Sequence, residues 1–265
     1  MTRSMLRLLS SSFLAIATFS LGGCRDESSE PLEIERTILT DGVTVESVGH
    51  QGIQWHVITM DPAKAKPSIR HADDSGKPLR DFSAFHVLAR TSNESTVWMM
   101  NAGMYHADGS PVGLCVCDGD EVSPVNRDEG QGNFFLKPNG VFYFTEQGAG
   151  IIETSEWPLT NLPPIRCATQ SGPLLVQRGQ LHPAIRPNSP NKLIRNGVGV
   201  RADGHLCFVI STGPVSFHDM ATFLRDQLRC PDALYLDGAV SALCVPKAGI
   251  NTEAKGLGPV IGLWE

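Results

Sequence analysis

Apolar and polar positions alternate along much of this chain. "VTVESV" from Val43 and "IQWHVITM" from Ile53 carry the two-residue period of strands with one buried face. "STVWMM", "GLCVC", "NFFLK", "GVFYF", "GPLLVQ", "GVGVRA", "HLCFVIS" and "ALYLD" follow as further short strand-like runs. "KPNG", between two aromatic runs, predicts a hairpin, and "RADGH" predicts another. Helical spacing is rare. "DFSAFHVLAR" reads as a short helix capped by Asp81. "SFHDMATFLRDQLRC" is the stronger case, with Phe217, Met220, Ala221, Leu224 and Leu228 on one face. Ser216 and Asp219 form its capping-box start, and Pro231 ends it. Together these predict an α+β fold: a single domain over residues 36–265, built on a large, mainly antiparallel sheet with few helices.

Composition sharpens this picture in one respect. The 265 residues are 41% hydrophobic, enough for one sizeable core. The formal net charge is −6, with no basic run longer than two residues. Phosphate-backbone binding needs clustered Lys and Arg, so nucleic acid is not an expected partner.

The first residues read as targeting rather than structure. Arg3 and Arg7 precede an apolar stretch from Leu8 to Leu21 and then "LGGC". That stretch is short for a membrane span and fits a secretory signal. Its ending matches a lipoprotein signal over residues 1–24, with Cys24 lipidated; an ordinary signal peptide with an incidental cysteine is the alternative. Residues 25–35, "RDESSEPLEIE", are polar and fit a flexible tether. The expected location is outside the cytoplasm, anchored to the membrane and facing the periplasm or the cell exterior.

Six more cysteines follow: Cys115, Cys117, Cys167, Cys207, Cys230 and Cys244. An exported chain can form disulfides, and sequence does not choose among the pairings. Cys230–Cys244 is the first candidate, since the two flank the Asp237 segment; a loop of about 15 residues closed this way contributes about 3 kcal/mol. Cys115 and Cys117 share a strand face, and "CVC" is not a zinc spacing. No metal site or cofactor is expected from the motifs, although the sequence leaves a divalent metal open.

Four stretches place polar residues and glycine just past apolar strands. They are "WMMNAGMY" with Asn101 and Gly103, "QSGPLLV" with Ser171 and Gly172, "IRNGVGV" with Arg195 and Asn196, and "YLDGAVS" with Asp237, Gly238 and Ser241. A strand gives a rigid wall, and a following glycine lets backbone approach a ligand. The plain alternative for each is a turn. These residues are expected to converge on one cleft at a sheet rim.

In this order the stretches resemble the phosphodiester glycosidase family, in its bacterial envelope branch. "MNAGMY" resembles that family's Asn-Gly-Gly-Phe-Phe-type element, and "QSGPLLVQRGQLHP" its Gly-Pro-Leu-Leu segment. "RNGVGVRADGHLCFVIS" resembles its Arg-x-x-Ile-Gly strand pair, and "ALYLDGAVSAL" its Leu-Asp-Gly-Gly-Gly-Ser. Ala239 and Val240 stand where the family often has further glycine. The resemblance implies hydrolysis of the glycosidic bond of a sugar-1-phosphodiester in envelope or extracellular glycans, with a link to exopolysaccharide metabolism. The leaving group is then a phosphomonoester, whose second pKa near 6 makes it depart readily. Such a site needs phosphate donors and a carboxylate near the anomeric carbon more than it needs a general acid. Asp237 fits the nucleophile or general base, and Arg195 a two-pronged grip on phosphate. Amides at Ser171, Gly172 and Gly238 add donors, and Asn101 suits sugar hydroxyls. His182 suits a proton shuttle, with an exposed loop histidine as the alternative. A catalytically weak glycan-binding lipoprotein is the second reading of the same cleft.

Overall fold

The computed structural model describes residues 35–158, 162–237, 240–252 and 255–265. The lipidation position Cys24 and the site residue Gly238 lie outside the described residues. Residues Glu33–Glu265 make one compact unit.

The strands in chain order are β1 (Glu35–Thr40), β2 (Val43–His50), β3 (Ile53–Met60), β4 (Ser68–Arg70), β5 (Thr96–Asn101) and β6 (Cys115–Cys117). Next come β7 (Asp120–Ser123), β8 (Gly140–Thr145), β9 (Gly148–Glu153), β10 (Ile165–Ser171), β11 (Leu174–Gln177) and β12 (Gln180–Leu181). The last are β13 (Asn196–Val200), β14 (Leu206–Ser211), β15 (Asp232–Tyr235), β16 (Leu243–Val245), β17 (Ile250–Asn251) and β18 (Val260–Trp264). Two α-helices are described, α1 (Phe82–Thr91) and α2 (Phe217–Thr222).

The strands form three sheets rather than one. The largest has the order β1-β2-β3-β14-β13-β15-β11-β12; the others run β7-β6-β10-β8-β9 and β17-β16-β5-β18-β4. The pairings around the centre are antiparallel, as in β13 with β14 and with β15. Each sheet turns one face to a shared core. Phe208 of β14 makes the join visible: its ring lies 4.7 Å from Trp98 of β5 and 5.9 Å from Phe142 of β8, so one side chain touches all three sheets. Outer faces are covered too. Trp55, Val57, Cys207, Val209 and Tyr235 pack under α2 and the turn after it, while Met99, Cys244, Val260 and Trp264 pack under α1. Burial on both faces explains why β14, "LCFVIS", is continuously apolar instead of alternating.

Both helices form where their caps predict. Asp81 Oδ1 accepts from Ala84 N at 2.9 Å. Ser216 and Asp219 make the reciprocal capping box, at 3.1 and 3.0 Å. Beyond Thr222 the helix widens into a π turn, Phe223–Gln227. The wider turn lets Phe223 enter the core beside Leu224, stacked on Trp55 at 4.3 Å, so the buried face gains a residue that regular α-spacing leaves out.

The hairpin expected at "KPNG" is not formed. Residues Asn133–Phe135 make a 3-10 turn, and Asn139 Nδ2 donates to Phe134 O at 2.8 Å. The side-chain amide satisfies that carbonyl, and β8 instead pairs with β9 and β10. The turn at "RADGH" does join β13 to β14.

The Cys230–Cys244 disulfide is likewise absent. All six cysteines from Cys115 onward are free thiols. Cys230 packs under α2 with Cys207, whereas Cys244 packs under α1 with its Sγ 3.6 Å from His86 Nε2. The two thiols lie in separate apolar clusters, Cys230 in the turn before β15 and Cys244 on β16 of another sheet, and no bond joins them. Cys115 and Cys117, on one strand face, have their Sγ atoms 3.8 Å apart.

Candidate active site

Three segments at the ends of apolar strands meet through a pair of buried carboxamides. Asn101 ends β5 and Asn196 opens β13; both are fully buried. Asn196 Nδ2 donates to Asn101 O at 2.9 Å and to Asn101 Oδ1 at 3.1 Å. Asn101 Oδ1 also accepts from Ala242 N at 2.7 Å. Asn196 Oδ1 accepts from Asp237 N at 3.2 Å. Ser241 Oγ lies 2.8 Å from Asp237 O and 3.0 Å from Ile194 O. Ser171, at the end of β10, donates from Oγ to Leu236 O. The segment that carries Asp237 is therefore tied at both ends to two other sheets. Asn101, Ser171, Asn196 and Ser241 gather around it as clamps, each with its polar atoms on protein partners.

The glycines contribute close approach. A Cβ on Gly103 would lie 2.3 Å from Gln170 O and 2.5 Å from Thr169 Oγ1. Gly172 is similarly tight, with Phe134 O 2.6 Å from where its Cβ would be. Gly103 lets the chain after β5 pack on the backbone of β10, and Gly172 lets the chain after β10 pack on the 3-10 turn at Asn133–Phe135.

Asp237 is 7% exposed. It stands two residues past Tyr235 at the end of β15. Its charge acts on two phenols, Tyr235 and Tyr105. Burial, with the Asp237 charge adding, pushes Tyr105 up to about 12 against the opposing Arg80 charge. Burial also pushes Tyr235 up to about 12, opposed by Arg195 and reinforced by Asp237. Both phenols thus keep their protons at any physiological pH.

Arg195 faces Tyr235 rather than open solvent. It is fully buried. Nε donates to Val215 O at 2.8 Å, Nη1 to Tyr235 Oη at 3.0 Å, and Nη2 to Asn191 O and Oδ1, each at 3.2 Å. Its guanidinium lies 3.9 Å from the Phe217 ring centroid. Four of its five N–H groups are committed, and a two-pronged grip on phosphate would require breaking some of those bonds. In this arrangement Arg195 orients Tyr235 and the strand end beyond it.

His182 is buried, with Nδ1 accepting from Ala184 N at 3.1 Å and the Leu136 and Lys137 carbonyls nearby. Burial lowers its pKa. None of its hydrogen bonds reaches the carboxamide pair. Asp219 serves the helix start described above.

Two residues on which the Asp237 charge acts, Tyr235 and Tyr105, and a third that acts on Tyr105, Arg80, have no counterpart in the motif reading. Tyr235 was signalled by its place two residues before Asp237, on the same strand face. Tyr105 was signalled by its place inside "MNAGMY". Arg80 carries no local signal; the fold brings it to this corner from before α1.

The family model for phosphodiester glycosidases matches residues 94–260, more than half of the chain. The chain belongs to the phosphodiester glycosidase family. The uncharacterized protein YigE of Escherichia coli (strain K12) is 36% identical over 156 residues, which are 58% of this chain and 61% of YigE. Among solved structures, the catalytic domain of zebrafish N-acetylglucosamine-1-phosphodiester alpha-N-acetylglucosaminidase, auto-inhibited by its pro-peptide, aligns with a TM-score of 0.59 at 16% identity, covering 90% of this chain and 85% of that one. A hypothetical protein from Synechocystis aligns with a TM-score of 0.56 at 14% identity, covering 89% of this chain and 64% of that one. At such identities the structural likeness is one of fold. The clamps, Tyr105 and Asp237 fall inside the residues matched to the phosphodiester glycosidase family, and Arg80 falls outside them.

Proposed function

We propose that this family member hydrolyses the glycosidic bond of a sugar-1-phosphodiester, acting on envelope or extracellular glycans, including those of exopolysaccharide metabolism. The observation that carries the reading is a buried carboxylate, Asp237, on a segment fixed by three strands of a phosphodiester glycosidase domain. In this reaction the bond from the anomeric carbon to the phosphate oxygen breaks, and its electron pair leaves on phosphate. Water supplies the new oxygen on the sugar. Asp237 either takes the proton of that water or adds first as nucleophile. The rigid amide clamps fit this task, because a carboxylate that must meet one carbon gains from being held still. The leader adds a location: lipidated Cys24 would anchor the enzyme on the outer side of a membrane.

The test is turnover by the full chain, purified in detergent, on a panel of sugar-1-phosphodiesters. Asp237→Asn should lower kcat at least about 100-fold while leaving the thermal midpoint close to wild type, since the amide keeps shape and loses charge. Binding of the panel without hydrolysis by the wild type would replace the enzyme with a glycan-binding protein. Full activity in Asp237→Asn would remove the carboxylate from the mechanism.

A further inference from the structure

Two buried polar atoms on the segments that pack around residues 105–111 have no protein partner among the described residues. Tyr105 Oη and Arg80 Nη1 are both buried, and neither makes a hydrogen bond to the described residues. A buried donor left without an acceptor is costly and calls for an explanation. The surrounding groups hold both side chains firmly. Arg80 Nη2 donates to Ala107 O at 3.0 Å and Gly256 O at 2.9 Å, which pins the arm between two loops. Nη1 rests on Gly109, where a Cβ would come within 1.8 Å of it. The Tyr105 ring rests on Gly258, where a Cβ would come within 2.3 Å of Cγ. Tyr105 is also four residues past Asn101, whose side chain bonds Ala242 beyond the Asp237 loop. Arg80 and Tyr105 thus rest on the same two stretches, 105–111 and 256–258, and the charges of Asp237 and Arg80 both act on the Tyr105 hydroxyl.

We infer that Arg80 and Tyr105 form the anion-binding corner of this site, donating Nη1–H and Oη–H to phosphate oxygens while Asp237 serves the sugar side. This rests on the sugar-phosphodiester reading above. The donor set fits phosphate: both groups donate, one carries positive charge, and neither has competing work at the atom concerned. Because Arg80 Nη2 is spent on carbonyls, the guanidinium offers a single prong, and the phenol supplies the second donor. A diester carries one negative charge, and the departing monoester gains nearly a second at neutral pH. Donors fixed on that oxygen set strengthen as the bond breaks, so the corner favours the transition state over the bound substrate.

The experiment measures binding of inorganic phosphate and of N-acetylglucosamine 1-phosphate to the full chain by calorimetry, beside turnover of the phosphodiester panel. Tyr105→Phe should weaken both ligands about tenfold, the loss expected for one hydrogen bond to a charged group. It should leave the thermal midpoint unchanged or raised, because it removes only an unpartnered hydroxyl. Arg80→Gln should weaken them further, and Arg80→Lys should recover part of the loss. Equal phosphate binding by wild type and Tyr105→Phe overturns the inference, and so does a wild type that binds neither ligand. A crystal grown with phosphate that shows only a water at Tyr105 Oη overturns it as well. The two readings separate cleanly. Turnover that survives unchanged in Tyr105→Phe and Arg80→Lys removes the corner and keeps the glycosidase. Phosphate binding that depends on Tyr105 in a chain without turnover removes the glycosidase and keeps the corner.

Discussion

One carboxamide, that of Asn196, joins three segments distant in sequence: β5 through Asn101, its own strand β13, and the loop after β15 through Asp237 N. Ser241 Oγ lies 3.3 Å from the same Oδ1. A buried amide so fully used costs little while its partners are present and much when they are lost, because each orphaned group keeps its desolvation penalty. Asn196→Ala orphans the Asp237 amide and part of Asn101, and should destabilise the fold by about 3 kcal/mol, two unmade buried bonds at the usual cost. Urea denaturation checks this. The surviving folded fraction should show a lower kcat with nearly unchanged ligand binding, since the carboxylate loses its placement and the phosphate donors do not. A neutral Asn196→Ala would show that the carboxamide pair is incidental. Arg195 follows the same logic with a charge added. Its largely satisfied guanidinium explains how a buried cation is tolerated, through four hydrogen bonds and an aromatic face.

Elements carry the next layer. The capping box makes α2 start at a defined residue, which sets Phe217 beneath Arg195. Ser216→Ala removes one half of the box and should cost about 1 kcal/mol, the typical worth of such a cap. The thermal midpoint reads this directly, and no change would mean that Asp219 alone holds the helix start. That cap was legible because a side chain three residues from its partner is a local signal. The strands were legible for the same reason: alternation in β2 and β3, and apolar runs in β5, β14 and β15, are properties of neighbouring residues. What sequence did not show depends on contacts across the chain. "KPNG" has hairpin chemistry, yet Asn139 finds Phe134 O and the turn closes backward. Phe223 lies off the α-face, yet Trp55 offers it a stacking surface and the helix widens to reach it. The Asp237 loop was readable as a site from the carboxylate and glycine at its strand end, whereas Arg80 was not, because contacts distant in sequence, with Ala107 and Gly256, fix its place. Cys230 and Cys244 flank one short segment in sequence, but β15 and β16 belong to different sheets, and the thiols part with them.

At the scale of the whole molecule, three sheets share one core, and several histidines are partly or wholly buried in it or along its strands. His56, His86 and His182 all have pKa values lowered by burial; in His182 the Lys137 and Leu136 carbonyls oppose the shift in part. Each sits where protonation would place a charge among packed strands. His56 Nδ1 is 3.0 Å from Ser47 Oγ between β3 and β2, and His86 Nδ1 is 2.9 Å from Thr96 Oγ1 between α1 and β5. The sign follows from linkage. A histidine whose folded pKa lies below its unfolded value of 6.5 binds a proton more readily in the unfolded chain. Its stabilising contribution is complete well above that value and is lost as pH falls through about 6.5 toward the lowered folded values. Stability should therefore hold level from about pH 8 to 7 and then decline toward about pH 5, before exposed carboxylates begin to titrate. Urea midpoints measured across that range check the prediction. His182→Gln should flatten part of the decline, because the most buried of the three no longer takes up a proton on unfolding. A midpoint that rises as pH falls from 7 to 5 would contradict the argument, since it would require the folded sheets to bind protons more tightly than the open chain.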